Sequence, residues 1–203
     1  MHLNIDKFFG KIKFLRVRVI HYIYLSKIKK RIYILKESIV YFSLGSNIGD
    51  RQSNLINCIK LIEEKAGNIN LVSSIYKNSA QGFDGDYFYN LCLEITTSKN
   101  PQQLLSIILK IEQEMGRKSR DSKNYESRII DIDIILFDDL VLAEKNLKIP
   151  HPKFHERNFV LLPLIEINNQ LINPKTNISV EDYLKNIKPD NSIKKLSFNY
   201  QEV

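Results

Sequence analysis

The sequence predicts an α+β fold, in which an antiparallel sheet carries helices packed on it. Two observations lead to this prediction. Short runs rich in β-branched and aromatic residues alternate with segments in which apolar residues recur at helical spacing, and polar loops separate them. Of the 203 residues, 43% are hydrophobic and 26% are charged, which is ordinary for a globular protein with one core. We therefore expect one folded domain.

The first half of this domain reads as strand, helix, strand. The run SIVYFSL at 38–44 predicts a strand that meets a turn at Gly45. Asp50 suits the N-cap of a helix, because apolar side chains recur at helical spacing from Leu55 onward until a glycine closes the segment. Residues 68–76 then return to strand character.

The second half repeats the pattern after a polar loop at 77–86. The run YFYNLCLEITT at 87–97 predicts a strand, and Pro101 suits the first turn of a second helix that Gly116 ends. A second polar loop at 117–127 leads to a further strand. The order βαββαβ is that of a ferredoxin-like sandwich, an antiparallel sheet with two helices on one face.

The rest of the chain has weaker signals. Three prolines, Pro150, Pro152 and Pro163, predict a looser region after the sandwich, and residues 180–187 suggest a short terminal helix.

Residues 1–37 form a basic N-terminal extension, with ten Lys or Arg against two acidic residues. Residues 38–203, the predicted domain, hold 20 basic and 21 acidic side chains, so the overall charge of +7 does not indicate a nucleic-acid partner. Three interpretations of the extension stay open. It is an amphipathic arm that binds a surface, a disordered or loosely helical tail, or upstream DNA read through from a start placed too early.

The same extension does not resemble a targeting or membrane segment. Cations interrupt it well short of the roughly 20 apolar residues that a membrane span needs, and it has no small-residue cleavage site. Cys58 and Cys92 lie far apart and form no CxxC pair, which disfavours a disulfide scaffold or a cysteine zinc site. We therefore expect a cytoplasmic protein with no membrane partner.

The stretch RIIDIDIILF at 128–137 places two carboxylates inside an isoleucine-rich strand. Because strand side chains alternate, Asp131 and Asp133 share one face, with roots roughly 7 Å apart, while the isoleucines between them face the core. Such a pair suits a hard cation such as Mg²⁺, with Arg128 as a further compensating charge. A solvated edge strand is the alternative. Repulsion between the carboxylates also predicts that removing either one leaves the fold at least as stable.

Two other segments suggest anion binding. SLGSNIGD at 43–50 is a turn whose backbone N–H groups could approach a ligand, or a plain tight turn with a helix cap; it lacks the lysine of a Walker A loop. In IPHPKFHERNFVLLPL, His151 and Arg157 are suitable donors to phosphate. Zinc binding by His151 and His155 is disfavoured by the intervening Pro152 and the lack of a third ligand.

Taken together, strand-GSNxGD-helix, GRK with a polar loop, SRIIDIDIILF and PHPxxHxRNFVLxPL occur in the order found in 6-hydroxymethyl-7,8-dihydropterin pyrophosphokinases. The chain resembles this folate-pathway family over about residues 38–188. The resemblance implies a ferredoxin-like fold and transfer of diphosphate from ATP to the hydroxymethyl group of 6-hydroxymethyl-7,8-dihydropterin. AMP would be released without a covalent intermediate.

The resemblance also implies roles for individual residues. Asp131 and Asp133 would hold two Mg²⁺ ions, and Arg117, Arg120 and Arg128 would be catalytic, the first two in a loop that closes over the nucleotide. The positions similar to ATP contacts are Glu112, Arg128, Ile134, His151 and Arg157. Those similar to pterin contacts are Gly45, Asn78, Phe88, Asn90, Tyr125 and Phe159, with the two phenylalanines stacking on the ring and Tyr125 near the usual tryptophan.

Two rival interpretations remain. An RNA-binding module shares the βαββαβ order, but neither central strand carries its aromatic signature, and carboxylates stand where phosphates would be repelled. A noncatalytic relative would not need the acidic pair together with Arg128, His151 and Arg157. We therefore expect a monomeric enzyme whose partners are ATP and the pterin, with no nucleic acid.

Overall fold

A computed structural model describes residues 37–80, 85–117, 127–198 and 200. Its main element is a sheet of six strands. These strands are β1 (Ser38–Ser46), β2 (Asn68–Val72), β3 (Ile75–Asn78), β4 (Phe88–Thr97), β5 (Asp131–Phe137) and β10 (Lys194–Leu196). Four helices accompany it: α1 (Arg51–Lys65), α2 (Pro101–Glu114), α3 (Asn158–Ile167) and α4 (Val180–Asn186). Two short hairpins complete the fold, β6 (Leu142–Ala143) with β7 (Lys148–Ile149) and β8 (Ile172–Asn173) with β9 (Ile178–Ser179).

The connectivity confirms the predicted ferredoxin-like arrangement. β1 is an inner strand of the sheet and pairs antiparallel with β4 on one side and with the edge strand β5 on the other. β3 continues the sheet beyond β4, and β10 pairs with the outer edge of β3. The elements β1, α1, β2/β3, β4, α2 and β5 therefore reproduce the βαββαβ order. None of the described helices is long and apolar enough to span a bilayer.

The single strand predicted at 68–76 is wrong, because the chain forms two strands there. Both β2 and β3 pair with β4, and Ser73 interrupts them. The Ser73 N–H donates to the Cys92 carbonyl at 3.0 Å, and the Cys92 N–H donates to the Ser73 hydroxyl oxygen at 2.9 Å. A side-chain oxygen thus replaces a backbone partner at this point, and the edge bends without leaving a buried N–H unpaired.

Both predicted helices form, and each begins directly after its capping residue. The Asp50 side chain accepts from the Ser53 N–H at 3.0 Å at the start of α1. Asn100 and Gln103 form a reciprocal capping box at the start of α2, with Pro101 as its first residue. Apolar side chains of the two helices pack on one face of the sheet, and burying each contributes about 1.5–3 kcal/mol. The fully buried members from the helices are Leu55, Ile59, Ile62, Leu104 and Ile111.

The other face of the sheet is covered by α3 and α4, neither of which is one of the two helices of the predicted βαββαβ sandwich. The looser region expected around the prolines is wrong from Asn158 onward, because ten residues there form α3 with Pro163 inside it. Val160, Leu161 and Leu164 are fully or almost fully buried in this second core. Their burial outweighs the one helical hydrogen bond that Pro163 cannot donate. The short helix expected at 180–187 forms as α4.

The strand register brings several predicted site residues to one end of the sheet. Gly45, near the end of β1, lies opposite Asn90 on β4 and opposite Asp131 on β5. Ser43 lies opposite Asp133, and Asn78 on β3 lies opposite Phe88. Paired positions that are 10 to 90 residues apart in sequence therefore lie together across four strands, at the end where the loops meet.

Candidate active site

Seven side chains at this end of the sheet form what we call the charged cluster: Glu112, Arg117, Arg128, Asp131, Asp133, His151 and Arg157. The strand β5 provides its two aspartates, whose side chains are 26% and 30% exposed. The alternating Ile132 and Ile134 are 4% exposed and join the core. The predicted alternation along β5 is confirmed, so both carboxylates are presented on one face.

Cations surround both aspartates. Asp131 pairs with Arg117 Nη1 at 2.8 Å and with Arg128 Nη1 at 2.9 Å, the latter from the turn just before β5. Asp133 lies 3.8 Å from Arg157 Nη1 and 3.9 Å from His151 Nε2. Attraction to these groups opposes the repulsion between the carboxylates. A gain in stability on removing an aspartate is therefore no longer expected, because removal would also take away a carboxylate that pairs with arginines.

Glu112 connects α2 to this cluster. Its carboxylate pairs with the Arg117 guanidinium and accepts from the Ile132 N–H at 2.8 Å, so it joins the end of α2 to β5. Burial raises the pKa of Glu112 to about 7, although Arg117 and the Ile132 N–H favour the charged form. The side chain predicted as an ATP contact thus holds Arg117 in place, and the Arg117 side chain is itself only 10% exposed.

His151 enters the cluster from the proline-rich segment after β7. Its backbone N–H donates to the Ile135 carbonyl at 2.9 Å, and its Nδ1 accepts from the Lys153 N–H at 3.3 Å. Burial, together with the nearby Arg157 charge, lowers the pKa of His151 to about 4. A neutral imidazole that accepts at Nδ1 carries its proton on Nε2, which therefore points a donor toward Asp133. His155 instead packs against Tyr183, with ring centroids 5.2 Å apart.

A cleft of about 860 Å³ opens beside the charged cluster. One wall is α2, and the other is the hairpin of β6 and β7 with the segment that follows it. Three predicted ATP contacts, Glu112, Ile134 and His151, line it. Sequence reasoning missed the hairpin residues Lys145, Asn146, Leu147 and Lys148, which also line it. The two-residue strands of this hairpin are too short to give a periodic signal.

A second group, which we call the amide cluster, consists of Gly45, Asn78, Phe88 and Asn90. Asn78 is 3% exposed and Asn90 is 4% exposed. The Asn90 side-chain amide donates to the Asn78 side-chain oxygen, and the Asn78 amide donates to the Ser79 carbonyl at 2.8 Å. A Cβ on Gly45 would come within 2.9 Å of Asn90 Oδ1 and 3.6 Å of the Phe88 ring. Glycine at this position therefore lets the Asn90 side chain lie close against β1, where a larger residue would clash with it.

The remaining predicted pterin contacts lie elsewhere or outside the described residues. Phe159 lies in the first turn of α3, which packs on β4, and its ring centroid is 5.7 Å from the Arg157 guanidinium. The aromatic ring thus borders the charged cluster. Arg120 and Tyr125 lie outside the described residues, as does most of the 117–127 loop.

The acidic pair suits magnesium better than a transition metal. Within the described part of the chain, no three His, Cys, Asp or Glu side chains are grouped so that they could hold a metal ion alone. Mg²⁺ commonly takes one or two protein carboxylates and fills its other positions with water and phosphate oxygens. Two carboxylates on one strand face, beside a cleft and flanked by arginines, fit that requirement.

Comparison with known proteins gives a consistent result. A family model described as 7,8-dihydro-6-hydroxymethylpterin-pyrophosphokinase (HPPK) matches residues 41–169. A 2-amino-4-hydroxy-6-hydroxymethyldihydropteridine pyrophosphokinase of Aquifex aeolicus is 42% identical over 156 residues, which cover 76% of this chain and 93% of that protein. The Bacillus subtilis protein of the same name is 41% identical over 66% of this chain and 80% of its own length.

A solved structure supports the fold. The crystal structure of a Plasmodium falciparum HPPK-DHPS triple mutant superposes with a TM-score of 0.63 at 18% identity, covering 81% of this chain. This chain spans about half, 49%, of that longer protein. The chain therefore belongs to the 7,8-dihydro-6-hydroxymethylpterin-pyrophosphokinase family and is an enzyme of the diphosphotransferase class.

Proposed function

We propose that this enzyme transfers diphosphate from ATP to the hydroxymethyl group of 6-hydroxymethyl-7,8-dihydropterin and releases AMP, as a step of folate biosynthesis. One observation carries the proposal. Gly45 lies opposite Asn90 on one side and Asp131 on the other, so a neutral amide cluster and a charged cluster are neighbours in the sheet. The names of the Aquifex and Bacillus relatives support the choice of pterin.

The nucleotide would occupy the cleft between α2 and the β6–β7 hairpin. A volume of about 860 Å³ lies within the range of about 300–1,000 Å³ that is usual for small-molecule sites. Apolar side chains of α2 and the hairpin give the base an apolar surface, and the lysines of the hairpin lie at the rim. The phosphates would then point toward Arg117, Arg128 and Arg157, whose planar forks match phosphate oxygens.

Asp131 and Asp133 are the residues that would hold two Mg²⁺ ions, which would neutralise charge on the phosphate oxygens. In the structure Asp131 pairs with Arg117 and Arg128, and Asp133 lies beside Arg157. We propose that the arginines exchange the carboxylates for phosphate oxygens when the nucleotide binds. The cations then need little reorganisation, because they already point at the face where the phosphates arrive.

The pterin would lie over Gly45, with its edge toward the amides of Asn78 and Asn90. Phe88 and Phe159 provide aromatic faces for stacking. Stacking and hydrogen bonding together orient the hydroxymethyl group toward the charged cluster. The hydroxymethyl oxygen attacks the β-phosphorus of ATP, the bond to the bridging oxygen of the α-phosphate breaks, and AMP leaves with that electron pair. The hydroxyl proton passes to solvent.

Direct transfer, without a covalent enzyme intermediate, agrees with the state of the cysteines. Cys58 and Cys92 are both fully buried, and burial raises the pKa of each thiol, so neither is a ready nucleophile. Positioning and charge stabilisation by the two clusters are then the main contributions of the chain. The cytoplasmic location and the monomeric state stay predictions, and size-exclusion chromatography with light scattering would measure the latter.

The test is an assay of AMP release with ATP, Mg²⁺ and 6-hydroxymethyl-7,8-dihydropterin. We expect AMP only when the pterin is present, and phosphorus NMR should show a diphosphate ester. The matched control is 6-methyl-7,8-dihydropterin, which stacks equally well but has no hydroxyl to attack phosphorus. Equal AMP release with both pterins would reveal ATP hydrolysis and contradict the proposed transfer.

A further inference from the structure

The turn that connects β1 to α1, residues 46–51, contains two side chains that reach segments far away in sequence. Asn47 is 1% exposed, and its contacts run to the end of the 117–127 loop. Its N–H donates to the Arg128 carbonyl at 3.1 Å, and its side-chain oxygen accepts from the Arg128 N–H at 2.7 Å. The side-chain amide donates to the Ser127 hydroxyl at 2.9 Å and, at the longer distance of 3.5 Å, to the Asp86 carbonyl. One residue thus holds the backbone of Arg128 from both sides.

Arg51, four residues later, holds the other loop end. Its Nε donates to the Tyr87 carbonyl at 3.0 Å, and its Nη2 pairs with the Asp86 carboxylate at 3.2 Å. Its guanidinium carbon lies 4.2 Å from the centroid of the Tyr87 ring, and Lys77 Nζ lies 3.6 Å from the same centroid. The Arg51 side chain is only 15% exposed. These contacts fix the residue that immediately precedes Phe88.

We propose that Asn47 and Arg51 are positioning residues that divide the two substrates between them. Asn47 orients Arg128 for the phosphates of ATP, and Arg51 orients Tyr87 and hence Phe88 for the pterin. The assignment rests on the proposed function, because it takes Arg128 as a phosphate ligand and Phe88 as a stacking partner. In this assignment the GSNxGD segment positions residues of both substrate sites. Neither a phosphate-binding turn nor a plain helix cap would have that function.

The geometry explains why the effects should be separable. Arg128 reaches Asp131 from the backbone position that Asn47 holds, so releasing that backbone is expected to move the guanidinium away from the reacting phosphates. A misplacement of about 1 Å in a catalytic group costs on the order of 10²-fold in rate. Phe88 is the first residue of β4 and is paired with Asn78. Arg51 bonds to Tyr87, the residue before it, so loss of Arg51 should shift Phe88 and leave the arginines of the charged cluster in place.

The competing explanation is that both residues only stabilise the turn, and Asn54 allows this to be tested. Its side-chain amide donates to the Ser46 hydroxyl at 3.1 Å and to the Ile48 carbonyl at 2.9 Å, both within the turn itself. Asn54→Ala therefore weakens the same turn by two hydrogen bonds. It leaves the contacts to Arg128 and Tyr87 in place.

The experiment compares Asn47→Ala, Arg51→Met and Asn54→Ala with the unaltered full chain. Calorimetry measures the Kd of a non-hydrolysable ATP analogue with Mg²⁺ and, in a separate titration, the Kd of the pterin. The rate of AMP release gives kcat, and thermal unfolding gives the folded fraction of each variant. For Asn47→Ala we expect about tenfold weaker binding of the ATP analogue and a kcat lower on the order of 10²-fold, with the pterin Kd unchanged. For Arg51→Met we expect about tenfold weaker pterin binding with the analogue unaffected.

The outcomes separate this assignment from the function it rests on. If the unaltered chain binds neither substrate and releases no AMP, the proposed function fails and this assignment fails with it. If the unaltered chain is active but Asn54→Ala matches the other two, or each variant weakens both substrates equally, the assignment alone is overturned. Should Asn47→Ala not fold, Ser127→Ala removes only one of its contacts and is expected to give a smaller loss on the ATP side alone.

Discussion

The charged cluster and the amide cluster lie side by side on the sheet but are built by different physical means. Asp131 and Asp133 keep 26% and 30% of their side-chain surface exposed, and arginines come from three separate segments to meet them. The amide cluster is neutral, and its two amide side chains, Asn78 and Asn90, are almost completely buried and bonded to each other. Charged groups that must exchange partners stay near water. Amides that recognise a fixed shape can be buried at little cost in free energy once they are hydrogen-bonded to each other.

This difference indicates how each substrate gains its binding energy. A phosphate chain carries several charges and is recognised by cations that are already gathered by carboxylates. A pterin ring is flat and neutral, so it depends on shape, stacking and a few hydrogen bonds. The two sites should therefore respond differently to loss of charge, to added volume and to salt.

Loss of charge should have the largest effect. We expect Asp131→Ala to lower turnover by about 10²-fold or more, because the site loses a carboxylate that would hold Mg²⁺ and the arginines lose their orientation. The folded protein should also lose about 1–3 kcal/mol of stability, because Arg117 and Arg128 lose a shared partner. AMP release and chemical denaturation measure the two quantities.

Asp139 provides the matched control, because it is an exposed aspartate just beyond the opposite end of β5. Asp139→Ala should leave turnover unchanged. A more stable Asp131→Ala would show that repulsion between the carboxylates dominates after all, and normal turnover in that variant would contradict the role of the charged cluster.

Added volume should affect the amide cluster alone. In Gly45→Ala the new methyl group would come within 2.9 Å of Asn90 Oδ1, and Asn90 cannot move away without breaking its bond to Asn78. We expect pterin affinity to fall about tenfold, with the affinity for an ATP analogue unchanged. Calorimetric titration of each ligand separates the two.

The control for that change is Gly49→Ala in the same segment. Gly49 has a φ of +63° and no neighbour within 4 Å of the position of a new Cβ, so alanine costs about 1–2 kcal/mol of backbone strain without touching the pocket. Its pterin affinity should stay normal. If both alanines weaken pterin binding equally, distortion of the β1–α1 segment is the cause and not contact with Asn90.

Salt should produce a smaller difference between the ligand affinities of the two clusters. Raising potassium chloride from about 0.1 M to about 1 M shortens the screening length from about 10 Å to about 3 Å. We expect the Kd of the ATP analogue to rise severalfold while the Kd of the pterin changes little. A pterin Kd that depends on salt as strongly as that of the nucleotide would show that charge, and not shape, governs both sites.

Much of this arrangement was predictable from local sequence. The alternation of RIIDIDIILF places Asp131 and Asp133 on one face, and Asp50 and Pro101 mark the starts of helices, because caps and periodicity act over a few residues. The family motifs also located most members of both clusters. Their roles stay proposals.

What the sequence did not predict depends on contacts between distant segments. The break between β2 and β3 follows from Ser73 bonding to Cys92, and β10 pairs with β3 from more than 110 residues away. The hairpin residues that line the cleft, such as Lys145, carry no periodic signal. Asn47 looked like a turn residue, and its bonds to Arg128 exist only once β1 and β5 pair.

The smallest effect on catalysis is expected from a substitution of Glu166, a residue of α3 whose carboxylate accepts several hydrogen bonds. It accepts from the Ser74 N–H at 3.1 Å, the Ser74 hydroxyl at 2.7 Å and the Tyr76 hydroxyl at 2.8 Å, and it pairs with Lys195 at 3.1 Å. Burial favours the neutral acid, but these donors outweigh it and hold the pKa of Glu166 below its ordinary value of 4.5. The charged form therefore stabilises the fold above that pH, and this contribution is lost as the pH falls through the lower folded pKa.

Glu166→Gln therefore tests whether turnover depends on any carboxylate that accepts several hydrogen bonds, or only on the carboxylates of the charged cluster. We expect the variant to be about 1 kcal/mol less stable near neutral pH, and the difference from the unaltered chain to shrink as the solution is acidified below about pH 4.5. Denaturation curves at several pH values measure this, while AMP release per folded molecule should not change. A loss of turnover comparable to that of Asp131→Ala would mean that the sheet as a whole, and not the cations around β5, sets the geometry of the site.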